Sequence, residues 1–253
     1  MRHSCSLRAV IFDWGGTLTP WHDVDLPEQW RVFAREVHGL PMDSPEMPED
    51  DLRLAEDLGA RILAVEEEAW SRGREHQSSA SLEEILVAAG VDPAHDRHHL
   101  ALAAYRGFWE PHTHTDPQVR PLWEGLRERG LKVGVLSNTI WSRDYHREIF
   151  ERDGVLDLLD GDVYSSEIEH VKPHPRAFEA ACAAVGVAPT EAVYVGDRLF
   201  EDVYGPQQVG MRAIWVPHSD IPSGQLVEVD VTPDARAAEL LDILDVVDTW
   251  IAR

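Results

Sequence analysis

Five short apolar runs, at residues 7–12, 131–136, 162–164, 192–195 and 213–216, alternate with stretches of helical periodicity. Runs of this length read as strands. Strands separated by helices are joined most simply as a parallel sheet with crossover connections. The pattern predicts an α/β fold with about five parallel strands. The helices between the later strands carry their own start and stop signals. Asp116 and Pro117 open one, Val119, Leu122 and Leu126 form its apolar face, and Gly130 ends it. A second runs from Pro175 through Phe178, Ala181, Cys182 and Val185 to Gly186, and a last one carries the stripe Leu240, Leu244, Val247 and Ile251.

Residues 20–115 break this rhythm, because they contain no strand-like run and read as four helices. Trp30, Phe33, Ala34 and Val37 mark the first, and Leu52, Ala55, Leu58, Ile62, Val65 and Ala69 the second. The third opens on the capping-box pattern Ser81-Leu82-Glu83-Glu84 and closes at Gly90; the fourth follows Asp92-Pro93 and runs toward Tyr105 and Phe108. The acidic segment 43–51, with Pro45 and Pro48, reads as a solvated loop. The division predicted is an α/β core, 1–19 and 116–253, with an all-helical domain, 20–115, inserted after the first strand.

Charge narrows the partners. A formal net charge of −23 over 253 residues opposes approach to a nucleic-acid backbone or an anionic membrane surface. An anionic small substrate would need a local cation, and Lys132 and Lys172 are the only lysines. Cys5 and Cys182 are too few for a disulfide framework or a thiolate metal cluster, which fits a reducing cytoplasm. The run before Asp13 is too short for a signal-peptide core, and no stretch approaches the length of a membrane span.

Four motifs fall where strands end, which in an open parallel sheet is where ligands bind. The first, Asp13-Trp14-Gly15-Gly16-Thr17, delivers a carboxylate at a strand tip. Its glycines permit a sharp turn and close backbone approach to an anion, although Asp-Gly is also an ordinary turn. The second, Ser137-Asn138, offers a hydroxyl and an amide to a phosphoryl oxygen, or simply a cap. In the third, Lys172 precedes Pro173. The fourth places Asp197 and Asp202 five apart around a strand-to-helix turn, a spacing that lets two carboxylates converge on a hard cation such as Mg2+.

In this order the motifs resemble those of the haloacid dehalogenase superfamily, and the helical insert is similar in position to that family's type 1 cap. The resemblance implies a Rossmann-like sheet with the first strand central, and a magnesium-dependent hydrolase of small phosphorylated molecules. In it Asp13 is the nucleophile that becomes an aspartyl phosphate and Thr17 orients it. Ser137 and Lys172 bind phosphoryl oxygens, with Gly16 and Asn138 contributing to substrate binding. Mg2+ is held by Asp13, the carbonyl of Gly15, Asp197 and Asp202.

Gly15 departs from the family pattern, whose phosphatases place a second aspartate there as acid/base. His22, His112, His114, His170 and His174 are candidates to replace it. A substrate with a good leaving group is a second explanation, and a phosphoryl-ligand binder without efficient turnover a third. The Asp-Trp-Gly-Gly-Thr loop is similar to that of phosphonoacetaldehyde hydrolases, but those need a lysine in the insert and none precedes Lys132. A carbon-centred hydrolase of the same fold, such as a dehalogenase, is a further alternative; dehalogenases share the aspartate nucleophile but need no metal, and the pair Asp197 and Asp202 weighs against that reading. Trp21, Trp109 and Trp141 are expected to line an aromatic mouth.

Overall fold

The computed structural model describes residues 7–21, 24–40, 48–219 and 226–251; Cys5, His22 and most of the acidic segment lie outside the described residues. Strand β1 (Ala9–Phe12) is buried at every position, as a strand covered on both faces must be. Four helices follow: α1 (Leu26–Val37), α2 (Glu49–His76), α3 (Leu82–Ala88) and α4 (His98–Trp109). Ser81 and Glu84 make the capping box that their spacing predicts. Glu49, Asp50 and Asp51 correct the loop reading, because they form the first turn of α2, where carboxylates meet the positive end of the helix dipole. Trp30 forms the centre of this packing, stacked on Tyr105 with centroids 4.9 Å apart. Its indole donates to Glu66 Oε2 at 2.7 Å, and burial still raises the Glu66 carboxyl above its ordinary value despite that bond.

The chain then alternates: α5 (Val119–Glu128), β2 (Lys132–Ser137), α6 (Arg143–Arg152), β3 (Gly161–Tyr164), α7 (Pro175–Val185) and β4 (Ala192–Gly196). A π-helical turn, Leu199–Tyr204, runs into α8 (Gly205–Gln207), followed by β5 (Arg212–Trp215), β6 (Ala235–Arg236) and α9 (Asp242–Ile251). The sheet is parallel throughout, in the order β3-β2-β1-β4-β5-β6. Two elements escape the sequence pattern. Strand β6 has only two residues and no apolar run, so its pairing comes from the open edge of β5. Helix α6 is strongly polar, and only Tyr145, His146, Ile149 and Phe150 turn inward. Helix α5 begins at Val119 rather than Pro117, because Asp116 accepts from Gln118 N and Val119 N in a turn of its own.

Two compact units result, one of Met1–Trp21, Gln77–Ser79 and His114–Arg253, the other of His22–His76 and Ala80–Thr113. Segment Gln77–Ser79 belongs to the sheet-bearing unit, where Ser78 bridges to His170 and Gln77 O accepts from Val171 N. On one sheet face Ala9, Ile11, Leu136, Phe178, Val185 and Tyr194 share a buried cluster under α7. On the other, Phe12 meets Trp123, which meets Phe150, at centroid distances of 6.1 and 5.8 Å. No helix among the described residues is long and apolar enough to cross a membrane.

His146 is wholly buried, stacked on Tyr164 at 4.1 Å and edge-on to Trp14 at 4.8 Å. Its Nδ1 lies 3.0 Å from Ser142 O, so Nδ1 carries the proton. Burial pushes its pKa down to about 4, against that bond and the charge of Asp162. The unfolded chain, with an ordinary histidine near pH ~6.5, therefore binds the proton first as pH falls. Stability from this group is complete above pH ~6.5 and is lost toward pH ~4, by about 3 kcal/mol in all. His146→Phe keeps the stacking and removes the titration. Denaturant unfolding across this window should show the wild type losing about 3 kcal/mol more than the variant; parallel losses would contradict a neutral buried imidazole.

Candidate active site

The register of the sheet assembles the site. Phe12 pairs with Val135 on one side and Val195 on the other, so Asp13, Ser137 and Asp197 emerge at the same end of three adjacent strands. Asp13 N still donates to Val195 O at 2.9 Å, which places the carboxylate at the last rung of the ladder. Lys172 arrives from the loop between β3 and α7. Asn138 braces it through two bonds, Lys172 N to Oδ1 at 2.8 Å and Nδ2 to Lys172 O at 3.0 Å. The lysine is 3% exposed, and all three of its N–H groups have acceptors: Asp13 Oδ1 at 2.9 Å, Asp202 Oδ1 at 2.8 Å and Tyr194 OH at 2.9 Å. Tyr194 in turn donates to Leu136 O at 2.6 Å.

Asp202 rises from the π-helical turn with no exposed surface and reaches back toward β4. A Cβ at Gly196 would lie 2.3 Å from its Cγ, so only glycine leaves room for this approach. Its second oxygen accepts from Arg198 N at 2.9 Å. Asp197 differs, because both its carboxylate oxygens are buried without a hydrogen-bond partner. Burial, reinforced by Asp202 and Asp13, holds the Asp197 carboxyl well above its ordinary range. Asp202 is pushed up to about 7 by burial, with Lys172 pulling down and Asp13 pushing up. Burial alone would lower the Lys172 ammonium, but Asp13 and Asp202 outweigh it and raise it.

Three carboxylates and one ammonium leave a formal −2 in a desolvated pocket. Oxygens of Asp13, Asp197 and Asp202 lie within 4.8 Å of one another. The donor set is all oxygen, and Asp197 presents unpartnered acceptors to it. These residues fit a hard divalent cation such as Mg2+.

A family model described as haloacid dehalogenase-like hydrolase matches residues 7–210. The chain belongs to the haloacid dehalogenase-like hydrolases. It is 30% identical over 250 residues to the glyceraldehyde 3-phosphate phosphatase of Methanopyrus kandleri, covering 95% of this chain and 97% of that one. It is 33% identical over 252 residues to the enzyme of the same name from Pyrococcus furiosus, covering 96% and 93%. Among solved structures, the 2-haloacid dehalogenase of Pseudomonas syringae superposes with a TM-score of 0.61 at 23% identity, covering 96% of this chain and 99% of that one, a likeness of fold.

Within this haloacid dehalogenase-like site the structure brings Asp13, Lys172, Asp197 and Asp202 together and gives other residues different work. Thr17 is buried and its hydroxyl has no partner, so it makes no bond to Asp13; the donors on Asp13 Oδ1 are Trp14 N at 2.8 Å and Lys172. Gly16 does not offer its N–H to a ligand, because that group donates to Thr19 O at 2.8 Å. Asn138 has its amide turned onto the Lys172 backbone rather than onto a substrate. Ser137 is buried at the end of β2, and Gly15 pairs as an isolated bridge with Thr19. His170 and His174 stack on each other at 3.8 Å, and His174 caps α7 through Nδ1. Trp141 is buried and packs edge-on against Trp14 at 5.5 Å. Tyr194 was legible only as a strand residue, although a tyrosine inside a buried strand requires a polar partner.

Replacing Lys172 by Met leaves Asp13 and Asp202 buried without their cation, at a cost of about 3 kcal/mol or more. Unfolding measurements on Lys172→Met should show this loss, and adding Asp202→Asn should recover part of it, since the two residues are coupled. Independent, additive effects would refute the ion pair as the element that makes this acidic cluster tolerable.

Proposed function

We propose that the protein is a magnesium-dependent phosphatase of small phosphorylated metabolites that works through an aspartyl phosphate on Asp13. The observation that carries this reading is the convergence of Asp13, Asp197, Asp202 and Lys172 at one end of the sheet, with Asp197 unpartnered. Asp13, the Gly15 carbonyl, Asp197 and Asp202 would hold Mg2+, Asp197 most directly because the oxygens of Asp202 already have partners. The cation, when bound, offsets the repulsion between the carboxylate nucleophile and an anionic phosphate.

Oδ1 of Asp13 is held by two donors, which sets the carboxylate plane and leaves Oδ2 to attack. The new bond joins Asp13 to phosphorus as the bond to the ester oxygen breaks; water then attacks phosphorus, the Asp13–phosphorus bond breaks, and inorganic phosphate and the free carboxylate result. Lys172 compensates the charge of Asp13 and of the transferring group, and Ser137 donates to a phosphoryl oxygen. The names of the two relatives make a three-carbon sugar phosphate the first compound to assay. The scarcity of cysteine supports a cytoplasmic setting.

Asp13→Asn should abolish turnover and the covalent intermediate while preserving the fold. Mass spectrometry of acid-quenched protein reads the intermediate, and substantial turnover by Asp13→Asn free of wild type would exclude the covalent route.

Gly15 governs the leaving group. Without a carboxylate there, the departing oxygen must carry its charge unaided, so aryl and acyl phosphates should outpace alkyl phosphates. Residue 15 has no positive φ, and a Cβ added there meets nothing within 4 Å, so a side chain fits. Gly15→Asp should therefore raise the alkyl-phosphate rate by up to about 10²-fold while changing the aryl rate little. A wild type that hydrolyses both classes at similar chemical-step rates would mean that another group already serves as the acid.

A further inference from the structure

The loops after β1 and after β4 meet closely. Gly16 has φ +83°, and a Cβ on it would lie 2.3 Å from Asp197 Oδ2. Past the rung from Asp13 N to Val195 O, what joins the two loops is a third segment, the residues following β5. Trp215 Nε1 donates to Asp197 O at 2.9 Å. His218 Nε2 lies 3.0 Å from Gly16 O, which requires the ring to donate, and Ser219 Oγ donates to the same carbonyl. Strand β5 pairs with β4 and not with β1, so these side chains reach one strand beyond their own neighbour.

Gly15 and Gly16 make this turn the most permissive pair of positions a chain can have, with no side chain to restrict either. Gly16 is nevertheless held at two points, its N–H by Thr19 O and its C=O by His218 and Ser219, and the Asp197 carboxylate occupies the space a side chain would need. The peptide joining residues 15 and 16 is trans, so the Gly15 carbonyl points opposite to the Gly16 N–H. The Thr19 bond to that N–H therefore sets the direction of the Gly15 carbonyl, and the bonds from His218 and Ser219 to Gly16 O hold the following peptide against it.

We propose that Trp215, His218 and Ser219 form a clamp of positioning residues that locks the loops carrying Asp13 and Asp197 into the geometry that binds the divalent cation. This rests on the magnesium reading above and extends it to residues that touch neither metal nor substrate. The clamp supplies from outside the restraint that a side chain at position 15 would otherwise give the turn.

The test is Mg2+ binding by titration calorimetry on the full chain, with amide hydrogen exchange at Gly16 read in the metal-free protein. The combined change His218→Ala and Ser219→Ala removes both donors to Gly16 O. It should weaken Mg2+ binding on the order of tenfold and speed exchange at Gly16, with a lowered melting temperature in a protein that still folds. His218→Gln with Ser219 retained keeps a donor and should stay close to wild type. Gly15→Ala added to the double variant restricts the turn and should restore part of the affinity. Unchanged Mg2+ affinity and unchanged Gly16 exchange in a folded double variant would overturn the clamp alone. A wild type that binds no Mg2+ would overturn both the clamp and the magnesium reading.

Discussion

Three carboxylates buried at the end of one sheet repel one another, and burial makes Asp197 and Asp202 harder to ionise. The ammonium of Lys172, bonded to Asp13, Asp202 and Tyr194 at once, makes the arrangement tolerable. Much of the surrounding architecture serves to deliver that one group. Asn138 fixes the lysine backbone from the loop after β2, Tyr194 supports its head from inside β4, and Gly196 clears the space that Asp202 needs. Removing any of these disturbs a network whose members lack solvent to fall back on.

The same interaction leaves Asp197 as the exception. Asp202 is satisfied by the lysine and a backbone amide, whereas Asp197 is buried with neither. An unpartnered buried carboxylate is costly, and a fold retains one where a cation or a ligand supplies the missing partner. The difference between the two acids thus lies in hydrogen bonding rather than in their order in the chain.

The second lysine is committed as well. Lys132, the only other lysine, donates to Val185 O at the C-terminal end of α7, where the helix dipole favours positive charge. In a chain of net charge −23, neither lysine is therefore left as an ordinary surface charge. His146 shows the opposite economy, a titratable ring held neutral because aromatic packing around Trp14 and Tyr164 leaves no water to solvate its charge.

The sequence by itself determined the parallel α/β character, the helical insert and the motif residues Asp13, Lys172, Asp197 and Asp202. Those signals are local: apolar runs of strand length, a capping box at Ser81, and carboxylates placed directly after strands. Only the tertiary structure decided what each side chain bonds. Thr17, Gly16 and Asn138 carry the right residue types at the right spacing, yet their polar groups are unpartnered or turned onto the backbone. The apolar run 213–216 marks only a strand; the contacts of His218 and Ser219 with Gly16 had no local signal, because they join positions about 200 apart in the chain. Strand order created that proximity, and strand order is set by how the helices pack on the two sheet faces, which spacing along one chain does not encode.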